Sequence, residues 1–340
     1  MSNNDILIWG AGAIGGTVGA FLVRAGYDVT FVDIVPDHVA AIRDPKRGLR
    51  ITGPVDRFSV TAPAVTPDQV QGKWPRIFLA VKSQDTVAAS RALKPFLAED
   101  GYVLSLQNGL CEASIAAEVG AARTVGAFVN FGADWIEPGE ILFGNRAAVV
   151  VGELDGKITP RLQTLHDDLR HFEPDAIITD DIASYLWGKL GYGSLLIAQA
   201  VGQLGIADCL AREELLPLWR EIAGEVMTVA AAERVTPQGF NGFSPDAFTA
   251  GASEADARAS VAAMVAFNRP NAKTHSGIWR DLAIRKRRTE VDMMLGAVVA
   301  AGARHGIGCP KLSGLIAMIH EIEDGKRPMT DDNLLALMRA

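Results

Sequence analysis

The chain has 340 residues, 49% hydrophobic and 21% charged, enough to bury a large core and to divide into two domains. A formal net charge of -7 lacks the basic surface that a polynucleotide requires, so no nucleic-acid partner is expected. The longest apolar runs, residues 6–9, 77–81 and 297–301, are too short to cross a bilayer and no charged-then-apolar segment opens the chain, which predicts a soluble, cytoplasmic protein with no membrane partner.

In chain order, β-rich apolar runs predict strands over residues 6–9, 29–32, 77–81, 103–106, 124–130 and 147–152. Helical spacing falls between several of them, as in 14–25 and in 86–97, where Ser83 and Asp85 are candidate caps. This alternation predicts an α/β fold, with a Rossmann-type doubly wound sheet over residues 1–180 serving as a dinucleotide-binding domain. From about Asp180 the β signal stops, and helices are predicted over 182–201, 213–232, 255–267, 279–304 and 312–322, an all-helical substrate and catalytic domain over 181–340. The stretch 235–246, rich in Gly, Pro, Asn and Phe, reads as an ordered loop. The basic run Arg285-Lys286-Arg287-Arg288 lies inside a predicted helix and reads as a solvated face or an anion contact.

Gly10-Ala11-Gly12-Ala13-Ile14-Gly15 follows the first strand and opens the first helix, the context in which GxGxxG binds a dinucleotide. The first glycine turns the chain, the second admits the pyrophosphate, and the third packs helix on strand, while the helix N-terminus attracts the phosphates. Asp33 ends the second strand, where a carboxylate accepts hydrogen bonds from the adenosine ribose and repels a 2′-phosphate, or else caps a turn. NAD(H) is therefore favoured over NADP(H). His38, Arg43 and Lys46 could reach a 2′-phosphate only through a long loop. Lys82 and Asn108 each lie just past an apolar strand; singly each is an ordinary turn residue, but together four strands bring glycine, carboxylate, ammonium and amide to the carboxyl edge of the sheet.

The glycine motif, Val81-Lys82, Gln107-Asn108-Gly109, Trp187-Gly188-Lys189-Leu190 and Arg288-Thr289-Glu290-Val291-Asp292 followed by Gly296 run in this order over nearly the whole chain. In this the chain resembles the ketopantoate reductase (2-dehydropantoate 2-reductase) family. The resemblance implies NAD(P)H-dependent reduction of a small 2-oxo acid to a 2-hydroxy acid, with Lys189 as general acid, Glu290 beside it, and Lys82 and Asn108 as further active-site residues. The chemistry agrees: reducing a ketone creates an alkoxide that needs a proton donor, and an ammonium both attracts the substrate carboxylate and supplies the proton. Tyr185-Leu186-Trp187 and Leu190 give Lys189 an apolar setting, although a snorkelling surface lysine is the alternative.

The family's asparagines four and eight residues after the lysine correspond here to Gly193 and Ile197. Its substrate-contacting serine falls at Gly277, with Ser276 beside it and one residue inserted before Glu290. Substrate candidates are thus Lys189, Gly193, Ile197, Ser276, Gly277 and His275, with Lys273 near them. Loss of two amides predicts a roomier, more apolar wall and an acid other than ketopantoate. Trp135 and Trp279 read as packing residues.

Cys111, Cys209 and Cys309 have no CxxC spacing and read as reduced thiols, and no histidine spacing suggests a metal site. Two other functions use overlapping residues: a dehydrogenase oxidising a sugar acid or other hydroxy acid, and a non-catalytic NAD(H) sensor. The sensor would need the glycines and Asp33 but not the lysines, Asn108 or Glu290. Apolar faces on the later helices are compatible with a homodimer.

Overall fold

Strands that are apolar on both sides need cover on both faces. The computed structural model, which describes residues 5–271 and 274–340, supplies it. In β1 (Asp5–Trp9) Ile6 and Ile8 enter one hydrophobic cluster while Leu7 and Trp9 enter another. The period of two of a strand thus feeds two cores. The chain divides into two compact units, Met1–Ile182 and Ala183–Ala340.

In the first unit β1 is followed by α1 (Ala13–Arg24), β2 (Asp28–Val32), α2 (Pro36–Arg43), β3 (Leu49–Thr52), β4 (Phe58–Val60), β5 (Ala64–Val65), β6 (Trp74–Leu79), α3 (Thr86–Leu93), β7 (Leu97–Ser105), α4 (Glu112–Val119) and β8 (Thr124–Val129). It ends with β9 (Gly132–Glu137), β10 (Glu140–Asn145), β11 (Val149–Glu153), α5 (Pro160–Leu169) and β12 (Ile177–Ile178). The main sheet has the order β12-β11-β8-β7-β6-β1-β2-β5 and is parallel except where β11 meets β8. Residues of α1, α2 and α5 join the core on one face, and those of α3 and α4 join the core on the other. This is the doubly wound, Rossmann-type arrangement.

A second sheet, in the order β4-β3-β10-β9, lies outside the strands predicted from sequence. Its strands are three to six residues long and carry charged residues at Arg50, Asp134, Glu137 and Glu140, which hides their apolar rhythm. The predicted helix 86–97 is shorter than expected: after α3 a 3₁₀ turn, Lys94–Phe96, leads into β7, where Leu97 pairs with Trp74. The candidate cap Asp85 does not close α3 with its side chain; the Thr86 hydroxyl donates to Ser83 O at 2.7 Å.

Ala183–Ala340 is built from helices. They are α6 (Ile182–Gln199, starting at the boundary), α7 (Ile206–Leu210), α8 (Leu216–Ala232), α9 (Glu254–Asn268), α10 (Gly277–Arg280), α11 (Val291–Arg304), α12 (Pro310–Glu323) and α13 (Asp332–Arg339). Trp219 and Ile222 of α8, Leu295 and Val298 of α11, and Leu312 and Leu315 of α12 are fully buried where these three helices pack together. Among the described residues no helix is long and apolar enough to cross a membrane.

The single helix expected over 279–304 is broken. After α10 the backbone widens into a π turn, Asp281–Arg285, and Lys286 takes a left-handed φ of 50°. The buried Asp281 explains the break. Its Oδ1 accepts from Arg285 at 3.0 Å and from Arg287 at 2.9 Å, and its carbonyl accepts the Arg287 amide at 3.1 Å, a closure that a regular helix cannot make. The basic run is exposed but lies outside a regular helix, with Arg285 and Arg287 bonded to Asp281 and Arg288 to Glu323 and Asp324.

Arg76 of β6 and Asp168 of α5, 6% and 5% exposed, form an ion pair inside the first unit, and the Tyr27 hydroxyl donates to Asp168 at 2.7 Å. Removing one partner of such a pair leaves an uncompensated charge, whereas replacing both with apolar groups is often tolerated. Asp168→Ala is expected to lower unfolding stability by about 3 kcal/mol, and Arg76→Met with Asp168→Leu to recover most of it. Urea denaturation checks this; equal losses in the single and double variants would contradict it.

Candidate active site

Four strands adjacent in the main sheet, β2, β1, β6 and β7, end level with one another. Trp9 pairs with Val32 and with Leu79, and Leu79 pairs with Ser105. The residues that follow them, Asp33, Gly10, Lys82 and Asn108, therefore share the carboxyl edge of the sheet.

The glycine loop is shaped by close approaches. Gly10 has φ +102°, and a β-carbon there would lie 2.9 Å from the backbone of Ala80 and Val81. A β-carbon on Gly15 would overlap Gly10 O, and one on Gly16 would overlap the Ile141 side chain of β10. Gly12 differs: a β-carbon there meets no atom within 4 Å. Its bareness serves nothing in the protein's own packing and leaves space beside the loop.

Asp33 makes two bonds. Its Oδ1 accepts from the Val35 amide and its Oδ2 from the Ala11 amide, both at 3.0 Å, so it closes its own turn and also ties down the glycine loop. His38 is 0% exposed and bonded to Ala11 O and Gly139 N, which takes it out of reach of any 2′-phosphate. Arg43 and Lys46 are exposed at the end of α2.

Lys82 is exposed and Asn108 half-buried, and Gln107, part of the quoted motif but given no role from the sequence, links their loops. The Gln107 amide, 4% exposed, donates to Val81 O and to the Thr86 hydroxyl, each at 2.9 Å. The Cys111 thiol donates to Asn108 O at 3.2 Å, and Gly109 turns the chain with φ +87°.

In the second unit Lys189 is half-buried on α6, with Gly193 and Ile197 four and eight residues on and so on the same helix face. Gly188 is obligatory, because a β-carbon there would overlap Gln238 O of the loop 235–246, whose Gln238 amide donates to Ser184 O at 2.8 Å. A β-carbon on Gly193 would meet only Met294 Cε, at 3.9 Å, whereas Ile197 is 2% exposed. Ser276 is the N-cap of α10, its hydroxyl accepting from the Trp279 amide at 3.2 Å, and Gly277 faces open space. His275 is half-buried, its ring 3.9 Å from that of Trp279 and its Nε2 3.2 Å from Gln203 O. The Trp279 indole donates to Gly202 O at 3.1 Å, and Lys273 lies outside the described residues.

Glu290 is 6% exposed at the N-cap position of α11, and the chain on either side of it is anchored to α12. The buried Glu323 carboxylate accepts the Thr289 amide at 2.7 Å, the Arg288 guanidinium at 2.8 Å and His320 Nδ1–H at 2.8 Å. The other nitrogen of His320 donates to Asp292 Oδ1 at 3.0 Å. Only an imidazolium donates at both positions. The hydrogen bond to Glu323 holds the His320 pKa above its ordinary value, against burial and with support from Asp292. Burial alone would raise the Glu323 carboxyl, but the hydrogen bonds from His320, Arg288 and Thr289 outweigh it and hold it low. Among the described residues no group of three or more His, Cys, Asp or Glu is arranged to hold a metal ion.

Comparison with known proteins covers both units. Residues 6–156 match the family model described as ketopantoate reductase PanE/ApbA, and residues 181–323 match its C-terminal counterpart. The chain is 28% identical over 321 residues to the 2-dehydropantoate 2-reductase of Archaeoglobus fulgidus, covering 94% of this chain and 98% of that one. Among solved structures, a PanE/ApbA family ketopantoate reductase from Ralstonia eutropha superposes with a TM-score of 0.79 at 27% identity, over 95% of this chain and 99% of that one. The ternary structure of D-mandelate dehydrogenase with NADH and anilino(oxo)acetate shares the fold, with a TM-score of 0.82 at 21% identity over 95% and 99% of the two chains.

The charges around Glu290 predict a pH window. His320, with a raised pKa, contributes stability that is complete below about pH 6.5 and fades as the pH rises through its folded value. Glu323, with a lowered pKa, contributes above about pH 4.5 and loses that contribution as the pH falls. The unfolding free energy of the protein should therefore exceed that of His320→Gln most clearly between about pH 5 and 6.5, by no more than about 1 kcal/mol because the ring is partly solvated. A difference that stays constant from pH 5 to 9 would rule this out.

Proposed function

The chain belongs to the ketopantoate reductase family and is an oxidoreductase acting on CH–OH donors; from this we propose that it binds a nicotinamide dinucleotide along the carboxyl edge of its first unit and reduces a small 2-oxo acid, with Lys189 of the second unit as general acid. The observation that carries this reading is the level ending of four adjacent strands, which sets the glycine loop, Asp33, Lys82 and Asn108 along one edge.

The residues fit the dinucleotide. Gly10 and Gly15 are demanded by packing, but Gly12 is bare toward open space, where a pyrophosphate can approach the backbone at the start of α1. Each Asp33 oxygen has one amide partner, so the carboxylate retains acceptor capacity for ribose hydroxyls. The same negative charge opposes a 2′-phosphate, and His38 is committed elsewhere, which supports NAD(H) over NADP(H). When bound, the nicotinamide supplies the two-electron reducing equivalent.

The protein's own part is to hold and protonate. The Lys189 ammonium attracts the substrate carboxylate and gives a proton to the carbonyl oxygen as negative charge develops there. In this reading Glu290, which is buried at its helix start, is the carboxylate that favours the charged form of the Lys189 ammonium against the effect of burial. Lys82 and Asn108 supply further donors at the sheet edge.

The substrate we favour is a 2-oxo acid with a bulkier, less polar side chain than ketopantoate. Gly193 leaves space on the Lys189 face and Ile197 offers no hydrogen bond. D-mandelate dehydrogenase, which shares this fold, holds anilino(oxo)acetate in its structure.

Turnover of NADH and NADPH against a panel of 2-oxo acids tests the proposal. NADH should be preferred, and Lys189→Ala should lower kcat by about 10²–10⁴ while NADH binding persists. Full turnover by Lys189→Ala would remove the lysine from its role. Gly193→Asn, which returns an amide to a position with room for it, is expected to lower KM for ketopantoate by about tenfold relative to apolar 2-oxo acids. An unchanged ratio would show that this face does not read the substrate.

A further inference from the structure

We propose that His38 is a positioning residue for the dinucleotide: it braces the glycine loop from behind and fastens it to the turn between β9 and β10. The inference rests on the dinucleotide reading above.

The Ala11 residue sits between Gly10 and Gly12 and is gripped at both of its polar atoms. Its amide donates to Asp33 Oδ2 at 3.0 Å, and its carbonyl lies 2.8 Å from His38 Nε2. On the far side of the imidazole, the Gly139 amide donates to His38 Nδ1 at 2.9 Å. A backbone amide can only donate, so Nδ1 must carry the lone pair and Nε2 the proton. One neutral tautomer satisfies both bonds, and the ring is sealed from solvent at 0% exposure with Trp135 of β9 against it, centroids 6.0 Å apart.

The anchor is itself fixed. Gly139 holds φ +82° in the β9–β10 turn, and a β-carbon there would come within 2.8 Å of Ala41 Cβ on α2, the helix that carries His38. The same hairpin presses Ile141 against Gly16 in the first turn of α1. The second sheet therefore backs both the glycine loop and the helix start that follows it. A loop held this way keeps its shape before any phosphate arrives, and its ligand need not supply the ordering free energy.

Two substitutions separate the bonds. His38→Asn places an acceptor near Nδ1, keeping the Gly139 bond but reaching nothing at Ala11. His38→Gln places an amide near Nε2, keeping the donor to Ala11 O and giving up Gly139. Affinities for NADH, ADP-ribose and adenosine, measured by titration calorimetry alongside unfolding midpoints, distinguish the roles. His38→Asn should bind NADH and ADP-ribose roughly tenfold more weakly with adenosine unchanged, and His38→Gln should stay within about threefold of the parent. Equal losses in both variants, or losses extending to adenosine in step with stability, would overturn the assignment while leaving the dinucleotide reading intact. A parent protein that binds neither NADH nor ADP-ribose overturns both. Hydrogen exchange on the unsubstituted chain needs no variant: the Gly139 amide, whose acceptor is His38 Nδ1, should be protected before NADH is added, and protection that develops only with NADH would also overturn the brace.

Discussion

The close approach of the glycine loop to the end of β6 is the constraint from which the rest of the first unit follows. Gly10 can lie against the backbone of Ala80 and Val81 only without a side chain, and Gly15 must be bare for α1 to start over Gly10. That contact fixes where β1 stops relative to β6, and the parallel register carries the alignment outward to β2 and β7. Asp33, Lys82 and Asn108 share an edge because of it. Gln107 then ties the loops after β6 and β7 together, so a displacement of one is passed to the other.

The second unit solves a similar problem without a sheet. The loop 235–246 presses on α6 at Gly188, the residue just before Lys189, so the lysine's backbone is held by a contact that tolerates no β-carbon. Glu290 is held by charge. Thr289 and Arg288 on one side and Asp292 on the other are tied, directly or through His320, to Glu323 of α12. Such a network stabilises a position more than it stabilises a fold, since burying the Glu323 carboxylate costs desolvation that its three donors must offset.

What the sequence made legible was local and periodic. Six of the eight strands of the main sheet, the glycine loop and Asp33 announce themselves through apolar runs followed by turn residues, whereas the edge strands β5 and β12, two residues each, do not; the resemblance that named the family draws on motifs only a few residues long. The second sheet did not stand out, because its strands are short and interspersed with charge, and their pairing joins Arg50 to Glu140, ninety positions apart. His38 is joined to Gly139 across 101 positions, and Glu323 to Thr289 across 34. Nothing in the neighbourhood of His38 or Glu323 marks it as a support. The helix expected over 279–304 failed for the same reason: its apolar spacing continues through the π turn, and only the burial of Asp281 shows why Arg285 and Arg287 fold back.

The glycine loop is held at Ala11 by one carboxylate, that of Asp33, and one imidazole, that of His38. His38 presents an N–H and a lone pair, and the loop's own polar atoms are backbone amides and carbonyls. A pyrophosphate there would be met by amide dipoles and the start of α1, which is adequate for charge that is partly solvated. One strand over, the Asp33 carboxylate is pinned by two amides and cannot swing away to make room for another anion. In the proposed reading, the hold that shapes the loop is also what would favour NAD(H) over NADP(H). A flexible Asp33 could retreat from a 2′-phosphate, but one fastened to Ala11 can do so only by giving up a bond that holds the loop in shape.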